Sequence, residues 1–221
     1  MKLPKRLEKI AALIPPDVSV IDVGTDHGLL PVWLALGGER RITATDIRPG
    51  PLGRAVSAAE SAGVEQKIQF LLCDGLEGCE SADVVVIAGM GGETIAGILE
   101  RASWTCEAGR LLLLQPMSKA EALRRRLYQG GYHIEGEVLV KNSGVIYPIL
   151  SVTGGSAEIP SLAELYLGVN AAKDELYSEY LAETIKKTER RLRGLENSAK
   201  PSDLPRLAEM RRLYEEIRHG E

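Results

Sequence analysis

The sequence predicts an α/β fold: a mostly parallel sheet covered by helices, finished by an antiparallel strand pair and followed by a helical hairpin. Three observations predict it. Between residues 18 and 129, short apolar and β-branched runs alternate with helix-length amphipathic stretches. Strands apolar along their whole length are buried on both faces, as in a parallel sheet with helices on either side. Next, two strand-like runs, 134–140 and 145–152, are joined only by Lys141-Asn142-Ser143-Gly144, a connection short enough to demand an antiparallel pair. Last, beyond a linker containing Gly154-Gly155-Ser156 and Pro160, the chain becomes helical and densely charged.

In chain order, Leu7, Ile10, Ala11 and Ile14 mark one apolar face of a first helix, which Pro15-Pro16 stops because proline has no N–H to continue it. Parallel strands are expected at 18–23, 42–46, 68–72, 84–88 and 110–114, with helices at 29–36, 51–61, 93–101 and 119–129. Five parallel strands closed by an antiparallel pair is the layout of the class I, Rossmann-like methyltransferase sheet. In the tail, Leu165, Val169, Ala172 and Leu176 keep a four-three-four spacing, and Leu181, Ile185, Thr188, Leu192 and Leu195 continue a similar seam after one slip. A second helix carries Leu204, Leu207, Met210, Tyr214 and Ile217, separated from the first by 194–202 with Pro201. These are expected to form an antiparallel coiled-coil hairpin. The expected domains are therefore 1–155 and 160–221.

Length and composition suit that division. A chain of 221 residues, 44% hydrophobic, can bury a core and carry a small appendage. Cys73, Cys79 and Cys106 show no paired spacing with each other or with His27, His133 and His219, so neither a metal site nor a disulfide framework is expected. No apolar run approaches membrane-spanning length, and no apolar leader is evident; a cytoplasmic protein, monomeric or weakly dimeric, is the expectation. A net charge of -4 argues against a globally basic nucleic-acid binder. Local basic clusters remain: Lys2, Lys5, Arg6 and Lys9; Lys119, Arg124, Arg125 and Arg126; and Lys186, Lys187, Arg190, Arg191 and Arg193. A solvated helix face is the competing role for each.

The most informative segment is Val18-Ser19-Val20-Ile21-Asp22-Val23-Gly24-Thr25-Asp26-His27-Gly28, a strand, a glycine turn and a helix start. Where a dinucleotide fingerprint needs glycine against a pyrophosphate, this chain has Asp26, with Asp22 just before the turn. Two carboxylates repel a pyrophosphate and attract S-adenosyl-L-methionine, whose sulfonium and ammonium are cationic. Helix capping is the competing role for Asp26. Asp46, 46 - 24 = 22 residues after Gly24, stands where an acid accepts ribose hydroxyls, with Ile47 beside it. Asp74-Gly75 follows the third strand, where its amides or carboxylate can meet an adenine edge; for both acids a plain turn competes. Ala88-Gly89-Met90-Gly91-Gly92 closes the fourth strand and brings bare backbone to the site. Gln115-Pro116-Met117 follows the fifth, supplying an amide and a soft apolar side chain at the rim. No Asn- or Asp-Pro-Pro-aromatic motif of exocyclic-amine methyltransferases is present.

Together, residues 22–31, the Asp74-Gly75-Leu76 turn, the Ile87-Ala88-Gly89-Met90-Gly91-Gly92 run and Leu114-Gln115-Pro116-Met117 resemble the bacterial tRNA (adenine-22-N1)-methyltransferase family over the whole chain. The most specific elements are the Asp26-His27 pair and the Gly-Met-Gly-Gly run. Family members commonly carry a tyrosine in the first motif where this chain has Leu29. The resemblance implies methyl transfer from S-adenosyl-L-methionine to N1 of an adenine in the tRNA D-arm region. Asp26 and His27 become the candidate catalytic residues. Asp22, Gly24, Thr25, Gly28, Asp46, Ile47, Asp74, Gly75, Ala88, Gly89, Met90 and Gly91 become the cofactor candidates. Gly92, Gln115, Pro116, Met117, Lys186, Lys187, Arg190 and Arg191 become the tRNA candidates. Rival readings keep the cofactor with a small-molecule or protein acceptor, or make the chain a non-catalytic adenosyl-binding dimerisation module.

Overall fold

A computed structural model describes residues 2–38, 40–198 and 200–219. Helix α1, Lys5–Leu13, buries Leu7, Ile10 and Ala11 and ends before the two prolines. The alternation that follows is β1 Val20–Val23, α2 Leu29–Leu36, β2 Ile42–Asp46, α3 Pro49–Ser61, β3 Ile68–Leu72, β4 Val84–Gly91, α4 Gly92–Glu100, β5 Leu111–Ser118 and α5 Ala120–Gln129. The hairpin is β6 Tyr132–Asn142 and β7 Val145–Gly154. Its two-residue turn, Ser143-Gly144, has φ of 50° and 81°, the doubly positive pattern that matches the twist of paired strands.

The seven strands form one sheet in the order β3-β2-β1-β4-β5-β7-β6. All neighbours are parallel except β5 with β7 and β7 with β6. Chain order reverses between β1 and β4, which opens a crevice at their carboxyl ends. Alternating side chains build an apolar layer on each face. Val20, Ile42, Ala44, Val84, Val86 and Leu113 pack under α1, α2 and α3, while Ile21, Val23, Val85, Ile87, Leu112 and Leu114 pack under α4 and α5.

Strand bounds differ from expectation at the functional end. β4 runs on through the glycine run to Gly91, and β5 runs on to Ser118, with register shifts between Ala88 and Met90 and between Met90 and Gly91. The run anticipated as a loop is thus bulged strand, which bends the strand without ending the pairing. At its other end β1 begins at Val20: the Ser19 backbone N–H donates to the Asp83 carboxylate, while its carbonyl still accepts from the Val84 N–H.

The helical tail departs more sharply. The first expected helix is broken into α6, Leu162–Leu167, and α7, Tyr177–Glu196, with a short 3-10 turn at Ala171–Lys173 between them. A capping box starts α6, with the Ser161 hydroxyl accepting from the Glu164 N–H. The break has a specific cause. In an unbroken helix the Val169 N–H would donate to the Leu165 carbonyl. Here it donates to Glu137 Oε1 on β6, and the Leu165 carbonyl accepts from Arg124 Nη1 on α5 at 2.7 Å. Arg124 and Glu137 are themselves paired at 2.6 Å, with both side chains fully buried. The regular spacing of Leu165, Val169, Ala172 and Leu176 runs straight across that break, so the seam expected there is not a helical one.

Helix α7 also runs through Gly194, where a loop was expected, and α8 spans Leu204–His219. Glu196 meets Arg211 and Glu189 meets Tyr214, so α7 and α8 run antiparallel. Their shared core holds Leu181, Ile185, Leu192, Leu195, Met210, Leu213 and Ile217, and Leu162 and Leu167 of α6 join it. The Arg125 guanidinium on α5 adds a contact to Glu209 on α8.

The buried pair yields a first prediction. Replacing Arg124 by Ala leaves Glu137 buried without a countercharge, a loss of about 3–5 kcal/mol. Arg124→Ala should lower the denaturation midpoint accordingly, measured by urea unfolding of the full chain; an effect below about 1 kcal/mol would show that the pair does not brace the fold.

Candidate active site

The carboxyl ends of β1, β2, β4 and β5 converge on one face, and backbone bonds stitch their turns together. The Gly24 and Thr25 N–H groups donate to the Thr45 carbonyl, and the Asp26 N–H donates to Asp46 Oδ2 at 3.3 Å. Asp46 Oδ1 accepts from the Arg48 N–H at 2.9 Å. The Thr45 hydroxyl donates to the Gly75 carbonyl, tying in the turn after β3. Asp46 is thus a buried carboxylate clamped between two turns, while Ile47 beside it is 61% exposed. Asp74 pairs with Arg101 at 3.0 Å, so one of its oxygens is engaged.

Gly24 shows why the first turn needs glycine. Its φ is 71°, and a Cβ there would lie 2.2 Å from the Met90 methyl, which packs across the turn from β4. At Gly92 the demand is different: a Cβ would lie 2.3 Å from the Lys119 carbonyl. Gly92 is buried, and its role in this arrangement is the close approach of α4 to the turn that starts α5. Gly28, Gly75, Ala88, Gly89 and Gly91 complete the backbone lining of the three turns and the bulged strand.

The two acids of the first turn sit in opposite environments. Asp22 is buried, and burial pushes its carboxyl up to about 6 despite the opposing pull of Thr25 and Arg6. The Thr25 hydroxyl, close enough to ease that shift, is buried without a partner in ordinary hydrogen-bond geometry. Asp26 projects outward with a side chain 53% exposed. A hydrogen bond from the Arg54 guanidinium at 2.8 Å to Oδ1 holds its carboxyl below the usual carboxylate range. His27 Nε2 lies 3.6 Å from Oδ2, and the histidine is likewise exposed. Asp26 itself has a φ of 49°, a left-handed conformation that aspartate tolerates better than most residues. It precedes the helix start without capping it, since the N-cap of α2 is Gly28 and carries no side-chain bond.

At the other side of the crevice Gln115 is fully buried. Its Oε1 accepts from the Gly89 N–H at 3.2 Å and from Arg6 Nη1 at 3.5 Å, and its Nε2 donates to the Pro116 carbonyl. The amide shapes the β4 and β5 ends and is not offered at the rim; Pro116 is also buried, while Met117 is 44% exposed. Arg6 is the residue that sequence reasoning left among the surface cations of α1. Its guanidinium stands beside Gly89 and Gln115 and within electrostatic reach of Asp22. No local motif marks it, because a helix lying elsewhere in the sequence delivers it. Among the basic tail candidates, Lys187 and Arg191 face a groove bordered by Pro116 and Met117, whereas Lys186 and Arg190 are exposed on α7 outside that lining.

This crevice fits S-adenosyl-L-methionine on its own terms: a buried carboxylate and an orphan hydroxyl for cationic and polar groups, a clamped second acid, and bare glycine backbone around them. A cluster of His, Cys, Asp or Glu able to hold a metal ion does not occur among the described residues.

Comparison with known proteins agrees. The methyltransferase domain family matches residues 3–150. The tRNA (adenine(22)-N(1))-methyltransferase of Bacillus subtilis is 32% identical over 185 residues, spanning 82% of this chain and 76% of that protein. The crystal structure of the B. subtilis m1A22 tRNA methyltransferase TrmK superposes with a TM-score of 0.86 at 28% identity, covering 99% of this chain and 98% of that one. A Streptococcus pneumoniae structure in complex with S-adenosyl-L-methionine superposes with a TM-score of 0.77 at 29% identity, covering 96% and 100%. A class I methyltransferase sheet, a crevice that fits the cofactor, and likeness along nearly the whole chain lead to one assignment: this chain belongs to the tRNA (adenine(22)-N(1))-methyltransferase family.

Proposed function

We propose that this protein transfers the methyl group of S-adenosyl-L-methionine to N1 of adenine 22 in tRNA. The observation that carries the reading is the pairing of a buried Asp22 near the end of β1, its carboxyl pushed up by burial, with an outward Asp26 on the following turn, its carboxyl held down by Arg54. Asp22 and Arg6 suit the ammonium and carboxylate of the cofactor's amino-acid end, and Asp46 suits its ribose hydroxyls. The cofactor supplies the electrophilic methyl group.

The acceptor chemistry asks little of the protein. N1 of neutral adenine already offers a lone pair, so no general base is required; alignment and relief of the positive charge spreading to the amino group are the remaining demands. Asp26 meets the second. Arg54 occupies Oδ1 and fixes the carboxylate, leaving Oδ2 to accept from the adenine amino group. His27 contributes a neighbouring polar ring without a defined proton path. The target base must leave its stack to reach the crevice, which costs a few kcal/mol and is offset by contacts to the RNA.

Three outcomes test these roles. First, a cationic ligand favours ionised Asp22, so S-adenosyl-L-methionine affinity should be full above pH 6 and fall by up to about tenfold per unit below it. Calorimetric titration from pH 5 to 8 checks this, and a flat profile sinks the Asp22 assignment. The folded protein holds the Asp22 proton more tightly than the unfolded chain, so stability is lost as pH rises from about 4 to about 6 and the full cost is in place above that. Asp22→Asn should therefore bind the cofactor more weakly yet unfold later at pH 8, by on the order of 1–3 kcal/mol. Second, Arg6→Leu should weaken cofactor binding about tenfold or more with the fold intact by circular dichroism. Third, Asp26→Asn should keep cofactor affinity and lose at least tenfold in turnover on a tRNA transcript, a transcript with guanine at position 22 serving as blank. Near-normal turnover removes Asp26 from the mechanism.

A further inference from the structure

We infer that the groove between the end of β5 and helix α7 is a second nucleotide subsite, which receives the base beside the flipped adenine. This rests on the tRNA reading above. The groove encloses about 430 Å³ and is lined by Pro116, Met117, Tyr147, Tyr166, Lys187 and Arg191. One wall is therefore the rim of the candidate active site itself, since Pro116 and Met117 directly follow the Gln115 that braces Gly89.

Its chemistry matches one nucleotide. Tyr147 and Tyr166 are partly exposed aromatic walls from different elements, β7 and α6, and stacking on such rings accepts any base. Lys187 and Arg191 stand one turn apart on α7, each with a side chain 54% exposed. Their acidic neighbours are Glu183 at 3.4 Å and Glu121 at 3.7 Å, which are only 29% and 23% exposed, so each cation keeps most of its exposed surface toward solvent while paired on one side. Between these cations, Thr184 and Thr188 are buried, and each hydroxyl donates to the carbonyl one turn back, at 2.8 and 2.9 Å. Those two hydroxyls are thus already engaged, and recognition falls to the rings and to Lys187 and Arg191, the third cation of the lining, Lys119, being paired with Glu93. A wider cavity of about 840 Å³ shares Lys119, Glu121, Tyr166 and Arg191 with the groove, so the strand has a path to run on toward α8.

Flipping one base strips a stacking partner from each neighbour, and a slot with aromatic walls and cations at one edge replaces it. The arrangement also distinguishes within the basic cluster of the tail: Lys187 and Arg191 contact the strand, whereas Lys186 and Arg190 do not line the groove.

The test measures kcat/KM on intact tRNA transcripts and on transcripts abasic immediately 5′ or 3′ of the target adenine. One of the two abasic transcripts should lose about tenfold with the natural protein. Tyr147→Leu or Tyr166→Leu should lose a similar factor on intact tRNA and little more on that abasic transcript, because the same contact is removed twice. The Lys187→Gln/Arg191→Gln protein, altered only at exposed side chains, should bind tRNA with a log–log salt slope shallower by about 1 to 2, at unchanged cofactor affinity. Additive losses, or variants indistinguishable from the natural protein while methylation proceeds, overturn the subsite and leave the groove to some other partner such as an acidic peptide. Absence of methyl transfer to tRNA by the natural protein overturns the functional reading, and this inference with it.

Discussion

The buried pair of Arg124 and Glu137 is the interaction on which the remaining architecture depends. It joins α5, β6 and the start of the helical tail, and it takes both halves of one helical hydrogen bond, the Leu165 carbonyl and the Val169 N–H. Two charges without solvent are tolerable only when every remaining donor and acceptor is engaged. Here Arg124 spends its guanidinium on Glu137 and on two carbonyls of α6, and Tyr180 of α7 donates to one of the same carbonyls, that of Tyr166. The orientation of α7 relative to β5 follows from this, and with it the existence of a groove between them.

The candidate site is built on the opposite logic. Its acids are held by backbone amides and neighbouring turns, and the stabilisation that would quench them is incomplete: Asp22 is buried short of compensation, and the Thr25 hydroxyl has no partner. A folded protein keeps such groups where a ligand completes them. Asp26 differs because Arg54 orients it and solvent reaches it, which holds its carboxyl below the usual carboxylate range. Separating the two acids by environment lets one turn attract a cation and face a reacting base at once.

Much of this was legible in the chain. Strand and helix alternation, the hairpin and the first turn all depend on local periodicity and turn chemistry; Ile42–Asp46 appears where those rules put it, while β1 starts two residues late and the hairpin turn tightens from 141–144 to Ser143-Gly144. The acids around the first turn pointed to the cofactor, and the family resemblance then named the acceptor. Three things were not legible. The break after Leu167 was hidden, because Leu165, Val169, Ala172 and Leu176 are spaced as on one helix and its cause lies on β6 and α5. Gln115 looked like a free amide, because nothing local shows that Gly89 and Arg6 consume it. Arg6 looked like one more lysine-rich surface charge, since it enters the crevice from the start of the chain.

The sequence by itself determined the alternation of strands and helices and the acids near the ends of the first two strands, because periods of two and 3.6 residues and a glycine turn are local physics. Tertiary structure alone decided which charges are buried, which are paired and which face the crevice, because desolvation and countercharges come from residues far apart in the chain. Asp22 near the end of β1 and Asp26 on the turn after it, four positions apart, are the measure of that difference: burial raises one carboxyl, and Arg54, 28 residues further on, lowers the other.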